Sequence, residues 1–210
     1  MRAHLASSPC RARVCGGRGF TLIELMVVIG IIGLLIGITV PSLGKARVQA
    51  KRTKCMTNLR AIGQGIQAYL NANNDRYFYA AEFPSTEEEV AEAEDREPYP
   101  PIWEALEIEL GRAKKVFHCP SDRNTKNREL GGSTYFETEG TSYEWRSQFN
   151  GQMVGRDDLT HATGAGLGAA DAPMMFDFEA FHGHDKAPGS LVVLFADLHL
   201  QADRIPLVEN

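Results

Sequence analysis

Three groups of residues in this 210-residue chain carry side chains that could do chemistry. The first lies near the C-terminus. His182 and His184 would point to one side of an extended segment, and so would Asp197 and His199 on the next one. With Asp185 beside them they offer three imidazoles and two carboxylates, and three imidazoles with one carboxylate suit zinc. The alternative is a polar hairpin whose histidines make ordinary hydrogen bonds. The second group is four cysteines, Cys10, Cys15, Cys55 and Cys119, none at metal-motif spacing. The third is a single carboxylate, Glu24, inside an apolar run. A carboxylate in hydrocarbon costs about 2.5–3.5 kcal/mol on insertion scales, so Glu24 needs either a cationic partner or hydration near the headgroups. No nucleophile signature, phosphate loop or CxxC pair is present, and the chain reads as a non-enzyme with no cofactor.

These residues must be positioned by a small set of elements. Phe20 to Val40 reads FTLIELMVVIGIIGLLIGITV, apolar on every face with one charge. At about 1.5 Å rise per residue it matches a hydrocarbon core of about 30 Å. A cleaved secretory signal fits poorly: the run is too long, and Val40-Pro41-Ser42 is a poor cleavage site. Basic residues flank both ends, so charge bias does not orient the span. Gly30, Gly33 and Gly37 lie roughly on one face; they could permit close helix packing or be tolerated there without a role. Beyond Pro41, apolar residues recur at Cys55, Leu59, Ile62, Ile66 and Tyr69/Leu70, one stripe of an amphipathic helix. A single long helix from Phe20 to about Ala72 is expected, bent at Pro41 and stopped by Asn71, Asn73, Asn74 and Asp75.

The junction Arg18-Gly19-Phe20-Thr21-Leu22-Ile23-Glu24, a basic leader followed by an apolar helix, resembles the N-terminus of type IV pilins and type II secretion pseudopilins. Pro41, 21 residues beyond Phe20, matches the family's helix-bending proline. The resemblance implies cleavage between Gly19 and Phe20 by a prepilin peptidase and N-methylation of the new Phe20 amine. It also implies pairing of Glu24 with the N-terminal amine of a neighbouring subunit. Loss of residues 1–19 would remove Cys10 and Cys15. In an oxidising compartment Cys55 and Cys119 would then be a disulfide candidate, the alternative being two buried thiols. The segments at Cys55–Leu59, Phe117–Asp122 and MMFDFEAFHGHDKAPGSLVVLFADLHLQ are similar to a pilin-like group abundant in planctomycete-type bacteria, in which a histidine precedes an Asp-Gly hairpin. Here Leu198 stands where that glycine would supply a positive φ. The histidine-to-Asp197 spacing is also longer than in that group.

The implied fold class is α+β: a long N-terminal helix packed on a small antiparallel-sheet domain. Its parts are a leader (1–19), a membrane and assembly helix (20–40), an amphipathic continuation (41–74) and an exported globular domain (75–210). In that domain, Ser85 to Glu89 reads as a capping-box helix start, and Pro101 to Leu106 as a second short helix closed by Gly111. Lys115–His118 reads as strand-like. Further strands are expected at Thr134–Thr138, Ser142–Gln148, Met174–Phe178, Leu191–Ala196 and Leu198–Ala202, and Thr163–Ala170 reads as a loop. Charge follows the same division. Residues 1–19 carry +4 and 20–74 carry +5, while 75–210 hold 12 basic and 26 acidic residues. The acidic body would repel a polyanion, so the basic stem reads as a lipid-headgroup or subunit contact rather than a nucleic-acid site. Expected partners are the peptidase, other pilin-type subunits, an inner-membrane assembly platform and the bilayer. The expected location is the inner membrane of a bacterium, single pass, with the C-terminal domain outside. A second function class stays open: a membrane-tethered ligand- or metal-binding protein that uses the pilin helix as an anchor.

Overall fold

A computed structural model describes residues 20–123, 134–154, 168–182 and 190–202. The chain divides into two compact units at Lys45/Ala46. Helix α1 runs Leu22–Ala72 and continues through position 41. In the first unit its large apolar side chains are all exposed, from Phe20 and Leu22 to Leu43. In the second unit the pattern changes to a stripe: Cys55, Leu59, Ile62, Ile66 and Leu70 are 0–3% exposed. The helix stops where the asparagine run begins. Asn74 and Asp75 take φ of +56°, and the Asp75 N–H donates to the Leu70 carbonyl at 2.9 Å, closing the last turn.

The stripe covers a four-stranded antiparallel sheet in sequential order: β1 (Tyr143–Trp145), β2 (Pro173–Asp177), β3 (Val193–Phe195) and β4 (Leu200–Gln201). All five residues of the central strand β2 are buried. Close approach of α1 is permitted by its glycines. A Cβ at Gly65 would lie 2.8 Å from a Leu110 methyl, and one at Gly63 would lie 3.3 Å from a Leu194 methyl. Short helices complete the layer: α2 (Glu87–Ala93), α3 (Ile102–Ala105) and α4 (Tyr135–Thr138). An aromatic cluster closes the far end, with Phe78 and Trp145 rings 4.7 Å apart and Tyr77 and Phe149 5.5 Å apart. Asn150 locks it, exchanging two hydrogen bonds with the Ala80 backbone and accepting one from Trp145 Nε1.

Several local expectations are corrected. Thr134–Thr138 is not a strand. The Thr134 hydroxyl accepts the Glu137 N–H while the Glu137 carboxylate accepts the Thr134 N–H, a full capping box that starts α4. Lys115–His118 is not a strand either, since Lys114–Phe117 form a 3-10 turn. The capping box at Ser85 does not form; Ser85 N–H and Oγ–H both donate to Glu139 instead, at 2.9 and 2.7 Å. The second short helix is trimmed to Ile102–Ala105, and Gly111 takes φ of +57° in the turn beyond it. The four remaining strands are present: Pro173–Asp177 is shifted by one residue from the expected bounds, and the other three are shorter at both ends.

Candidate functional site

The chemistry-bearing residues fall into three separate places. The first is the start of α1. Glu24 Oε2 accepts from the Thr21 N–H at 2.9 Å and from the Thr21 hydroxyl at 2.8 Å, and the Glu24 N–H points back to Thr21 Oγ1 at 3.3 Å. Threonine at the cap and glutamate three residues on satisfy two helix-end donors reciprocally. The spacing T-x-x-E at 21–24 is a readable signal that the sequence reasoning missed. It holds the Glu24 carboxylate at the head of the helix, where the helix dipole favours a negative charge. Phe20 precedes it, 74% exposed; Gly19 lies outside the described residues.

The second place is the root of the amphipathic half of α1. Cys55 and Cys119 form a disulfide, with Cα atoms 5.1 Å apart. It is framed by polar contacts. Asn58 donates to the His118 carbonyl at 2.8 Å, and the Cys119 N–H donates to Ser142 Oγ at 2.9 Å. Asp122 then gathers the Ser142 hydroxyl and the N–H groups of Tyr135 and Phe136. His182 also arrives here: its Nε2 is 3.6 Å from Cys119 Sγ and 3.5 Å from Asp177 Oδ2. The side chains of His182 and Asp177 are fully buried. Burial pushes the Asp177 carboxyl well above its usual range. Burial, helped by Arg52 and Arg123, lowers His182 to about 4. Both groups therefore favour their neutral forms, and their contact is not an ion pair. Sequence reasoning did not place Asp177 in any site.

The third place is the β3–β4 turn. His199 Nδ1 lies 2.5 Å from Asp197 Oδ1, which also accepts the His199 N–H at 3.0 Å. Slight burial raises the Asp197 carboxyl, and the bonds from His199 outweigh it, holding it below its usual range. Leu198 takes φ of +68°, the left-handed conformation in which glycine is usual, and packs against the core. The His199 ring stacks on Phe195 at 4.3 Å. His182 does not join this pair. Among the described residues, the set of donor atoms within mutual ligand reach is Cys55, Cys119 and His182. His184 and Asp185 lie outside the described residues.

A half-open cavity of about 590 Å³ lies apart from all three places, edged by Tyr79, Tyr99 and Glu82. Its cation, Arg96, is already paired with Glu87 and Glu94 at 2.6 Å each and stacked over Tyr99.

A long N-terminal helix, apolar and uncovered at its start and striped against a small antiparallel sheet further on, is a pilin-like arrangement. Residues 17–40 match the prokaryotic N-terminal methylation motif. The chain is 42% identical over 60 residues to the type IV major pilin protein PilA of Myxococcus xanthus, covering 29% of this chain and 27% of that one. It is 38% identical over 71 residues to the type II secretion system core protein G of Pectobacterium carotovorum, covering 34% and 41%. With the same-named protein of Escherichia coli K12 it shares 31% over 85 residues, covering 40% and 54%. The chain thus spans between about a quarter and about half of the length of these curated relatives. No solved structure matches it.

Proposed function

We propose that this protein is a structural pilin-like subunit, assembled into a type IV pilus or a type II secretion pseudopilus. The observation that carries the reading is the methylation motif over residues 17–40, coinciding with a helix whose apolar side chains are exposed all round. An 18-residue window of that helix has mean hydropathy 2.6, long and apolar enough to cross a membrane. Such a surface needs lipid before assembly and other helices after it.

In this reading a prepilin peptidase cuts between Gly19 and Phe20, and the new Phe20 amine is methylated. Residues 20–40 anchor the chain in the inner membrane by a single pass, with the globular domain outside. An assembly platform then moves subunits from bilayer to filament. Glu24 sets the register: its carboxylate, steadied by Thr21, meets the Phe20 ammonium of a neighbour. An ion pair repays the burial of each charge only when both are present, so an uncleaved subunit would not fit. The role is mechanical rather than catalytic.

The test is electron microscopy of producing cells with immunolabelling, alongside the mass of the mature chain. Gly19→Val should retain the leader and abolish filaments, and Glu24→Ala should be processed normally yet fail to assemble. Filaments built normally from the Glu24→Ala chain would overturn the pairing role.

A further inference from the structure

The surroundings of the disulfide are not those a purely structural crosslink needs. A disulfide is apolar enough to be buried among hydrocarbon. Here a fully buried imidazole and a fully buried carboxylic acid are brought to it instead. Both leave a polar atom without a hydrogen-bond partner among the described residues, namely His182 Nδ1 and Asp177 Oδ1. Each such atom costs about 1–3 kcal/mol, so an arrangement that only stabilised the fold would exclude them.

The geometry also excludes a relay of the nucleophile–base–orienter kind. In such a relay the two ring nitrogens face different partners. In this protein Cys119 Sγ and Asp177 Oδ2 both lie beside the same nitrogen, Nε2. Two sulfurs and one nitrogen within 4.8 Å of one another are what a metal centre requires. The sulfur-to-nitrogen spacing agrees as well. With zinc–sulfur near 2.3 Å and zinc–nitrogen near 2.0–2.1 Å, tetrahedral sulfur and nitrogen ligands stand about 3.5 Å apart. The observed separation from Cys119 Sγ to His182 Nε2 is 3.6 Å. Cys55 supplies the third donor within the same small volume, and Asp177 stands outside that set.

We propose that the Cys55–Cys119 disulfide is the oxidised, closed form of a zinc site whose protein ligands are Cys55, Cys119 and His182, with a water in the fourth position. A dithiol reductant opens it: two electrons and two protons pass to the sulfurs, and the reductant leaves as its own disulfide. Zinc then binds through both thiolates and His182 Nε2, releasing the two thiol protons. Two thiolates around Zn²⁺ leave no net charge to be buried. Oxidation and metal binding are mutually exclusive, since a sulfur in the disulfide cannot act as a thiolate ligand. The site would tie the stem helix to the body in the reduced chain as the disulfide does in the oxidised one. It is independent of filament assembly.

The test uses the full chain purified in detergent, reduced, freed of reductant under nitrogen, and titrated with Zn²⁺ against a chromophoric chelator. One zinc per reduced chain and none per oxidised chain is expected. Co²⁺ in place of zinc should give thiolate-to-metal charge-transfer and tetrahedral bands in the wild type. That measurement stands even if a variant fails to fold. His182→Gln should weaken zinc at least about tenfold, with the fold retained by circular dichroism. Equal zinc uptake by the oxidised chain or by the Cys55→Ser/Cys119→Ser chain would overturn the proposal, as would an octahedral, thiolate-free cobalt spectrum. Unchanged affinity in His182→Gln would overturn it too.

Discussion

The two stretches of α1 on either side of Lys45 obey opposite rules. Before it, leucines, isoleucines and valines occupy every face and all stay exposed. After it, apart from the exposed Val48, they are confined to one stripe and almost completely buried. Helix propensity does not distinguish the two, since both are helical throughout. What differs is the solvent each is written for. A one-sided apolar pattern is satisfied within the chain by the sheet. An all-round pattern is not covered by any of the described residues, and lipid or other helices are the surroundings that suit it.

Substitutions can break that contrast. The largest effect is expected from a charge placed in the stripe. Ile62→Asp should cost the body at least about 4 kcal/mol, because the carboxylate would be buried without a partner. Ile32→Asp, chemically the same change, should leave the body's denaturant midpoint within about 0.5 kcal/mol. Chemical denaturation of the full chain in detergent, followed by the fluorescence of Trp103 and Trp145, reads both. Equal losses would show that the two stretches are not energetically distinct.

Next comes the disulfide. It closes a loop of sequence separation 64. Replacing both cysteines by serine should lower the body's stability by about 2–4 kcal/mol, with no change in detergent or vesicle partitioning of the chain. A third test is pH. Burial, helped by Glu82, raises Glu144 to about 7 in the folded body. The folded state then holds a proton that the unfolded state has already lost above its ordinary carboxylate pKa. Stability from this group is therefore present in acid and lost as pH rises from about 4.5 to 7. Glu144→Gln should be more stable than wild type at pH 8 and indistinguishable from it near pH 4, by thermal melts at the two values. The smallest effect is at the helix start. Thr21→Ala removes the cap and should cost about 1 kcal/mol of local helix stability, read as faster amide exchange over residues 22–25 with the body unchanged.

The contrast within α1 was legible in the sequence because it is periodic. Cys55, Leu59, Ile62, Ile66 and Leu70 announce a stripe, and the helix stop at Asn73–Asp75 has its own local chemistry. The Cys55–Cys119 bond was also expected. Two capping boxes, at Thr21 and Thr134, carried the T-x-x-E signal and were overlooked. At Thr134 the aromatic, strand-favouring composition of Tyr135 and Phe136 outweighed it. Ser85 carried a similar signal and is taken by Glu139, 54 residues away. Such competition has no local trace. The polar cluster at the disulfide was illegible for the same reason: Asp177 and His182 meet Cys119 only because β2 and the turn after it cross over the root of α1. Histidine spacing had grouped His182 with Asp197 and His199, yet Asp197 and His199 engage each other across Leu198 instead.

The disulfide also decides how the molecule would behave under tension. If the chain is pulled from its two ends, the load passes from Cys55 directly to Cys119, and everything between them carries none of it. That loop, of sequence separation 64, cannot pay out. At about 3.5 Å per extended residue this withholds roughly 220 Å of slack. The oxidised chain is a stiff link of short reach, and its reduced, metal-free counterpart an extensible one.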